Sequence, residues 1–493
     1  MTDTTTALYR PAQVAEMDRY AIQELGVPGL RLMERAGAYA YQVLREHWPD
    51  RRNLVIVCGA GNNGGDGYVM AEMARRDGLR VEVLQLVPTE QLRGDAATVA
   101  RRYQGAGGVC RPFEGQLPQG ADVVVDALLG TGLDRPVEGR WAEAIDCING
   151  SGLPVLAVDI PSGLSGDTGA VMGVGIQAHL TVTFIGRKRG LYTGAGPRLV
   201  GEILYHDLDV PPEVHAHQTP AAQRVRHALL GSSLPRRPRD GHKGLYGHVL
   251  VVGGDRGMGG AALMAGRAAL RTGAGLVSVA THPAHAPALL AAQPELMIRG
   301  VESVVDLTPM LQRASVAVLG PGLGQAGWGR ALYQAVLDAG LPCLLDADAL
   351  NLMADAPVGC RKDWVLTPHP GEAARLLGSR TPEVQADRFS AMEQLLARYG
   401  GACVLKGAGS LIGASGQVTR VCDEGNPGMA TGGTGDVLSG VIGGLMAQGY
   451  APFEAAELGA CLHAAAGDLA ARDGERGMAA TDLIPFLRQL INP

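Results

Sequence analysis

Short apolar segments alternate with segments of helical periodicity twice along this chain, and this rhythm restricts the fold more than any other feature. The apolar segments are nearly continuous in Val, Leu and Ile, as in strands of a parallel sheet that helices cover on both faces. The sequence therefore predicts an α/β protein. The predicted strands lie near 53–59, 79–87, 121–130, 153–163, 247–254, 275–281, 315–322, 342–348 and 402–407, and the predicted helices near 11–25, 29–47, 66–77, 91–104, 138–149 and 437–449.

The chain is too long for one ordinary hydrophobic core, since 493 residues favour two or more domains. Segments 207–223 and 231–244 are rich in Pro, Ser and charged residues, a composition typical of linkers. The rhythm of strands and helices restarts after them, so we expect two separate α/β domains. The predicted domains are residues 1–222 and 223–493.

Composition and charge exclude several classes of protein. The net charge is −6, and no basic stripe carries interleaved aromatic residues, so we expect no nucleic-acid partner. No apolar segment reaches the roughly 18 residues of a membrane-spanning helix. The amino terminus lacks the charged and apolar regions of a signal peptide. We therefore expect a cytoplasmic protein without a membrane partner.

The sequence gives no sign of a zinc site or a disulfide framework. The eight cysteines are scattered without a C-x-x-C pair. His215 and His217 lie in a segment of linker composition, and we interpret them as solvated residues and not as metal ligands.

Glycine accounts for 71 residues, about twice its usual share, and its excess marks turns and ligand loops. The segment GMATGGTGD, residues 428–436, leads directly into the predicted helix 437–449. Free N–H groups and the helix dipole at such a position bind anions, and glycine lets the main chain approach closely. Asp436 would then act as a base on a hydroxyl group beside a phosphate. A plain helix cap is the alternative interpretation, because Asp is a preferred N-cap residue.

Three further loops of small residues follow predicted strands in this half of the chain. They are GPGLG at 320–324, LTPHPGE at 366–372 and KGAGS at 406–410. A nucleotide site at the carboxyl edge of a parallel sheet requires loops of this kind. The sequence has no G-x-x-x-x-G-K-[ST] motif, so this is not a P-loop protein.

These motifs, with HKGLYGHVLVVGGDRGMGGAALMAG (242–266), DADALN (346–351) and NPGMATGGTGD (426–436), resemble the ADP- or ATP-dependent NAD(P)H-hydrate dehydratases, a branch of the ribokinase-like superfamily. The resemblance covers nearly all of residues 225–491. It implies a nucleotide site at Lys406, Gly407, Ala408, Gly409, Ser410 and Gly435. It implies a site for the hydrated nicotinamide at Ala261, Gly322, His369 and Asp436, with Asp436 catalytic.

A second glycine loop, CGAGNNGGDG at 58–67, follows the first predicted strand of the amino-terminal half. It contains G-x-G-x-x-G, but the next strand does not end on the acid that a dinucleotide ribose needs, which disfavours an ordinary NAD dehydrogenase. Its Asn62, Asn63 and Asp66 are more polar than a pyrophosphate turn requires. Amide and carboxylate oxygens suit a hard cation as well as hydrogen bonds to a ligand.

Acidic and hydroxyl side chains recur at the next strand ends in VVDALLGTGLDRP (124–136) and AVDIPSG (157–163). Asp126, Asp159 and Ser162 could each be turn or cap residues. Their recurrence at successive parallel strands around one glycine loop favours a shared site.

The segments NNGGDG, DALLGTGLDRP and DIPSG resemble the YjeF amino-terminal family of NAD(P)H-hydrate epimerases, over roughly residues 9–217. The resemblance implies a Rossmann-like three-layer fold, a catalytic Asp159 and a potassium ion held by Asn63, Asp126 and Ser162. The substrate residues that it implies are Asn62, Asn63, Gly64, Gly65, Asp66, Gly130, Thr131, Gly132, Leu133, Asp134, Arg135, Pro136 and Asp159.

Together the two resemblances imply a bifunctional repair enzyme that epimerises the R and S hydrates of NADH and NADPH. It would dehydrate the S form with ADP, giving AMP and phosphate, with Mg²⁺ assisting phosphoryl transfer. The preference for ADP over ATP comes from the family and not from any residue. We also expect a homo-oligomer, with helices 11–25 and 29–47 available for contacts. The alternative is a hydroxymethylpyrimidine- or sugar-type kinase fused to a non-catalytic binding domain.

Overall fold

The computed structural model describes residues 6–356 and 358–492, which divide into two compact units, Met1–Ala222 and Gln223–Pro493. Each unit is built around its own sheet, and both belong to the predicted α/β class, so the predicted fold class is confirmed. Among the described residues, no helix combines the length and apolar character that crossing a bilayer requires.

The first unit contains one sheet of parallel strands in the order β4–β3–β2–β5–β6–β7–β8. The two-residue strand β1 (Ala7–Leu8) of this unit lies outside this sheet, whose strands are β2 (Asn53–Cys58), β3 (Arg80–Gln85), β4 (Val109–Pro112), β5 (Val123–Ala127), β6 (Val155–Val158), β7 (Leu180–Phe184) and β8 (Glu202–His206). Its helices are α1 (Pro11–Gln23), α2 (Gly29–His47), α3 (Asn62–Arg76), α4 (Gly94–Gly105), α5 (Arg140–Gly150), α6 (Gly196–Leu199) and α7 (Pro212–Ala216).

Two hydrophobic cores cover the two faces of this sheet, because its central strands are buried on both sides. Ile56 of β2 contributes to one core, with α1 to α4. Val55 and Val57 of the same strand contribute to the other core, with α5. The alternation follows from the two-residue period of a strand and gives the predicted three-layer arrangement.

The second unit contains a sheet in the order β9–β18–β17–β16–β15–β14–β13–β10–β11–β12. Its strands are β9 (Ala222–Val225), β10 (His248–Val252), β11 (Leu276–Thr281), β12 (Met297–Gly300), β13 (Val316–Leu319), β14 (Cys343–Leu345), β15 (Trp364–Leu366), β16 (Ala402–Leu405), β17 (Ser410–Ala414) and β18 (Arg420–Cys422). Its helices are α8 (Gly259–Thr272), α9 (Ala286–Ala292), α10 (Val304–Leu311), α11 (Gly327–Asp338), α12 (Asp348–Asp355), α13 (Pro370–Leu377), α14 (Thr381–Ala386), α15 (Arg388–Tyr399), α16 (Thr434–Ala447), α17 (Pro452–Ala470) and α18 (Ile484–Leu490).

Strand β17 runs antiparallel to both of its neighbours, whereas the pairs from β16 through β15, β14, β13 and β10 to β12 are parallel. Helix α16 packs closely against α8 and the sheet, and glycines make this possible. A Cβ atom on Gly440 would lie 2.1 Å from the carbonyl oxygen of Ala265, and one on Gly443 would lie 2.3 Å from Val318. The packing fixes the amino terminus of α16 at the end of the sheet.

The interpretation of residues 207–223 as a solvated linker is wrong for His215, although His217 is exposed as expected. Helix α7 lies within this segment, and His215 is buried, with Nε2 2.8 Å from the carbonyl oxygen of Ile185. The ring of His217 stacks on Tyr20 with 4.2 Å between centroids. Both histidines therefore have structural contacts within the first unit.

Candidate active sites

A cavity of about 600 Å³ lies at the carboxyl ends of β2, β5, β6 and β7 in the first unit. Parallel strands bring their carboxyl ends to one edge of the sheet, so residues distant in sequence meet there. The predicted substrate residues that line this cavity are Asn62, Asn63, Asp66, Gly130, Thr131, Gly132, Leu133, Asp134, Arg135 and Asp159.

Gly64, Gly65 and Pro136 do not line the cavity. The two glycines instead allow α3 to pack tightly. A Cβ atom on Gly64 would lie 2.3 Å from the carbonyl oxygen of Gly59, and one on Gly65 would lie 2.6 Å from Met33. The absence of side chains at these two glycines therefore allows the loop and α3 to pack in this position.

Asn63, Asp126 and Ser162, the three residues expected to hold a cation, are buried. Ser162 donates from Oγ to Asp126 Oδ1 at 2.6 Å and from its main-chain N–H to Oδ2 at 2.8 Å. Burial raises the pKa of Asp126 to about 6, against the effect of these hydrogen bonds. Both polar atoms of the Asn63 amide lack a hydrogen-bond partner among the described residues. A buried amide oxygen without a partner, with carboxylate and hydroxyl oxygens in the same unit, suits an alkali cation.

Asp159 follows β6 with φ of 64°, a left-handed conformation that is uncommon outside glycine. Its carboxylate forms an ion pair with the Lys188 ammonium group, which is 1% exposed. Lys188 also donates to Thr183 Oγ1 at 3.1 Å and to the carbonyl oxygen of Phe184 at 3.0 Å. Lys188 was not predicted from the sequence, although a lysine just beyond a buried strand was a usable signal.

Asp18 of α1 also lines the cavity and was not predicted from the sequence. Burial raises the pKa of Asp18 to about 6, and Asp159 adds to the increase while Lys188 opposes it. Burial likewise raises the pKa of Asp66 well above its usual value. The missed signal was the helical period, because Asp18 follows the buried Val14 and Met17 on the apolar side of α1.

In the second unit, Asp436 lies in the first turn of α16, whose N-cap is Gly433 with φ of 97°. The alternative interpretation of Asp436 as the helix cap is therefore wrong. Burial raises the pKa of Asp436 to about 7, and nearby Asp346 adds to the increase, whereas Lys406 opposes it. A carboxyl group with a pKa near neutrality can act as a general base at physiological pH.

Asp346, at the end of β14, anchors a cluster of charged groups that the sequence analysis did not predict. Its Oδ1 atom lies 2.8 Å from Lys406 Nζ, and its Oδ2 atom accepts a hydrogen bond from Ser439 Oγ at 2.7 Å. Glu372 Oε2 lies 3.8 Å from the same ammonium group. Burial alone would lower the pKa of Lys406, but Asp346 and Glu372 raise it above its usual value.

The loop Lys406–Ser410 joins β16 to β17 and exposes main-chain groups. Gly407 and Gly409 have φ of 142° and 61°. The buried guanidinium group of Arg388 fixes the loop by donating hydrogen bonds to the carbonyl oxygens of Leu405 at 3.0 Å and Lys406 at 3.3 Å. A Cβ atom on Gly435 would lie 3.3 Å from Lys406 Nζ, so α16 begins next to this loop.

His369, Ala261 and Gly322, the remaining predicted substrate residues, follow other strands of the same sheet. His369 caps α13, and its Nδ1 atom accepts from the N–H groups of Gly371 at 3.0 Å and Glu372 at 3.4 Å. Burial lowers the pKa of His369, which favours the neutral ring, and because Nδ1 accepts hydrogen bonds the neutral ring carries its proton on Nε2. A Cβ atom on Gly322 would lie 3.2 Å from that of Ala261, so these two residues share one surface.

Comparisons with known proteins agree with this division. The family described as NAD(P)H-hydrate dehydratase matches residues 249–489, and the family described as YjeF-related protein N-terminus matches residues 29–190. A ribokinase-like superfamily protein from Enterococcus faecalis, 30% identical, superposes with a TM-score of 0.52 over 56% of this chain and 96% of its own. The predicted ribokinase-like fold is thereby confirmed.

Curated relatives match along the whole chain. The bifunctional NAD(P)H-hydrate repair enzyme of Coxiella burnetii is 47% identical over 99% of this chain and 100% of its own length. The enzyme of the same description from Escherichia coli is 44% identical over 97% of this chain and 92% of its own. By these matches and by its two strand-end sites, the chain belongs to the family of bifunctional NAD(P)H-hydrate repair enzymes.

Proposed function

We propose that the chain repairs hydrated nicotinamide nucleotides with two activities. The first unit interconverts the R and S hydrates of NADH and NADPH, and the second converts the S hydrate to NADH or NADPH with ADP, giving AMP and phosphate. The second activity is inferred from Asp436, a carboxyl group with a pKa of about 7 that lies next to a glycine loop at the start of α16. Family membership supports both assignments.

Dehydration needs activation because hydroxide is a poor leaving group. The hydrate carries a hydroxyl group at C6 of the nicotinamide ring. Asp436 removes its proton as the oxygen attacks the terminal phosphoryl group of ADP, and the bridging P–O bond breaks to release AMP. Main-chain N–H groups of Gly432 to Gly435 and the α16 dipole stabilise the charge on the transferring phosphoryl group. The ring nitrogen then expels phosphate, and loss of a proton from C5 restores the dihydropyridine.

The nucleotide binds to main-chain groups of Lys406–Ser410 and Gly435. The lysine ammonium group is already engaged by Asp346, so we assign to it the positioning of the acidic cluster around Asp436. Carboxylates near transferred phosphates suit Mg²⁺ bound to the incoming nucleotide, and Mg²⁺ supplies positive charge to the phosphates. ADP is the expected nucleotide from family membership.

In the first unit, Asp159 is the catalytic group that exchanges a proton with the C6 hydroxyl group of the hydrate. Asn63, Asp126 and Ser162 would hold a potassium ion, whose charge would favour binding of the polar substrate. The cavity excludes bulk water from one face of the substrate through the apolar side chains of Leu128 and Phe184. Association into a homo-oligomer and a cytoplasmic location remain predictions.

The decisive experiment supplies the purified protein with a mixture of R and S hydrates and ADP or ATP. The absorbance of the regenerated dihydronicotinamide should approach the full amount of both hydrates, and AMP and phosphate should accumulate in equal amounts with ADP. A stable phosphorylated product would instead indicate the kinase alternative, which family membership does not favour. Recovery of the S portion alone, at the spontaneous rate of exchange for the remainder, would refute the epimerase assignment.

A further inference from the structure

Asp159, Lys188, Asp66 and Asp18 are among the ionisable side chains that line the cavity of the first unit, and two of these four, Lys188 and Asp18, lie outside the motifs that suggested the site. Asp159 follows β6, Lys188 follows β7, Asp66 belongs to α3 and Asp18 belongs to α1. Their contacts differ. The ion pair between Asp159 and Lys188 requires a carboxylate and an ammonium group. Asp18 has no such cationic partner in contact among the described residues.

Asp18 is positioned by its helix to reach the substrate. Val14, Asp18 and Ile22 lie one turn apart on α1 and all three line the cavity. Within residues 6–356 and 358–492, no hydrogen bond or ion pair to another residue engages the Asp18 carboxyl group. A partly buried carboxyl group without a hydrogen-bond or ion-pair partner favours its protonated form, whereas an ion-paired carboxylate favours its charged form.

Resting on the epimerase activity proposed above, we propose that Asp18 is the general acid of the epimerase site and that Asp159, paired with Lys188, is its partner base. Two carboxyl groups whose environments separate their protonation states form an acid–base pair in one site. Burial raises the pKa of Asp18 to about 6, against the opposing charge of Lys188, so Asp18 keeps its proton up to about that pH.

The pair opens the ring of the hydrate without an oxidant or a second reactant. The Asp159 carboxylate takes the proton of the C6 hydroxyl group, a C6=O double bond forms and the C6–N1 bond breaks. The electron pair of that bond stays on the ring nitrogen, which takes the proton of Asp18. Loss of the hydroxyl group as water would need the acid alone, because the ring nitrogen supplies the electrons, so a site with both groups favours ring opening.

Ring closure restores both carboxyl groups. Rotation about the C5–C6 bond turns the other face of the aldehyde towards the nitrogen, which attacks C6 and returns its proton to Asp18. The new C6 oxygen recovers the proton held by Asp159. The product is the opposite epimer, and the two carboxyl groups have regained their starting protonation states.

The test compares Asp18→Asn with Glu16→Gln in the full chain. Glu16 lies on the same helix, outside the cavity, and pairs with Arg19. Exchange between R and S hydrates is followed by chromatography after subtraction of the spontaneous rate. We expect kcat for exchange to fall at least about 100-fold in Asp18→Asn, with KM changed less than about threefold, and Glu16→Gln to match the wild type. Retention of most of the exchange rate by a folded Asp18→Asn protein would overturn the proposal.

The pH dependence supplies a measurement that needs no variant. The charged groups that share the cavity with Asp18 are Asp66 of α3, Asp95 of α4, Asp134 and Arg135 after β5, Asp159 after β6 and Lys188 after β7. The wild-type kcat/KM for exchange should fall as pH rises above about 6, where Asp18 loses its proton, and the fall should be absent in Asp18→Asn. A wild-type profile without this fall would also overturn the proposal.

Two outcomes separate this inference from the proposed function. A wild-type protein that does not accelerate R-to-S exchange contradicts the epimerase activity itself, whereas wild-type acceleration with an unaffected Asp18→Asn variant contradicts only the role of Asp18. In ¹⁸O-labelled water, uptake of one labelled oxygen per epimerisation would overturn the ring-opening step, and uptake slower than epimerisation supports it. Conversion of the S hydrate with ADP, which uses the other unit, reports whether each variant chain is folded and active there.

Discussion

The Lys406 ammonium group lies 2.8 Å from Oδ1 of Asp346, inside the acidic cluster beneath the start of α16. The other oxygen of that carboxylate accepts a hydrogen bond from Ser439, so Asp346 is fixed on both sides. The lysine of the K-G-A-G-S loop therefore balances the negative charge of protein carboxylates. The glycines after it present main-chain groups to a ligand. The ammonium group also opposes the increase in the pKa of Asp436.

Replacing Asp436 with Asn should reduce nucleotide-dependent dehydration at least about 100-fold, because the isosteric amide cannot accept the proton of the C6 hydroxyl group. The measurement is recovery of dihydronicotinamide absorbance from S hydrate with ADP. Glu454→Gln is the matched control, since Glu454 is also acidic and in the first turn of a helix of this unit but is exposed at its cap. Substantial turnover by Asp436→Asn would remove Asp436 from the role of base.

The dehydration rate should rise with pH through about 7. Asp436 must be a carboxylate to act as a base, and its pKa is raised to about 7, so kcat/KM should decline below that pH. Because Lys406 lowers this pKa, Lys406→Met should move the rising limb to higher pH as well as reduce the maximum rate. If the rise of kcat/KM in Lys406→Met occurs at the same pH as in the wild type, another group controls that rise.

Asp436 should also reduce the stability of the second unit at alkaline pH. Its pKa is about 7 when folded and near 3.8 when exposed, so the unfolded chain releases this proton first as pH rises. The destabilisation grows between these two values and is complete above pH 7. Asp436→Asn should therefore unfold at a higher temperature than the wild type at pH 8, by a few degrees, and the gain should vanish near pH 4. Equal melting temperatures at pH 8 would contradict the buried position of the carboxylate.

Potassium should stabilise the first unit through Asn63. Both polar atoms of this buried amide lack partners among the described residues, and a bound cation would satisfy the oxygen. We expect potassium, compared with sodium, to raise the melting temperature of the wild type and to accelerate R-to-S exchange. In Asn63→Ala both responses should disappear. An equal response of wild type and variant would place the potassium effect elsewhere.

Arg388 should be needed for the shape of the nucleotide loop. Its removal leaves the carbonyl oxygens of Leu405 and Lys406 without their buried donor, at a cost of about 1–3 kcal/mol for each group. We expect Arg388→Met to lower the free energy of unfolding and to raise KM for ADP more than KM for the hydrate. Arg380→Met, at an exposed ion pair with Glu383, is the control and should change neither the free energy of unfolding nor the KM values for ADP and the hydrate.

Most inner strands of each sheet could be predicted from the sequence because they are continuous apolar segments. The buried strand β7 was missed, since threonines interrupt the apolar residues of LTVTF. The edge strands β4 and β12 were missed, since VCRP and MIRG are short and partly exposed and carry no such pattern. The antiparallel pair β17–β18 was missed as well, because β18 has only three residues. The predicted linker near His215 was wrong for a related reason, since proline and charge in its sequence concealed a buried histidine.

The candidate sites were predictable as far as glycine loops and strand ends mark them. The partners of those residues were not, because they come from distant parts of the chain. Lys188 is 29 residues from Asp159, Lys406 is 60 residues from Asp346, and only the parallel topology brings each pair together. Asp18 lies on a helix outside the repeating strand–helix pattern, so no motif in the sequence connected it with the cavity.

Each unit carries its own candidate catalytic carboxyl group, Asp159 in the first and Asp436 in the second. If the hydrate diffuses freely, defects in the two chemistries should complement one another in trans. Neither an Asp159→Ala chain nor an Asp436→Asn chain would quickly clear a mixture of R and S hydrates by itself. The two chains mixed together would clear it. In a cell, two such defective alleles would together restore the wild-type phenotype.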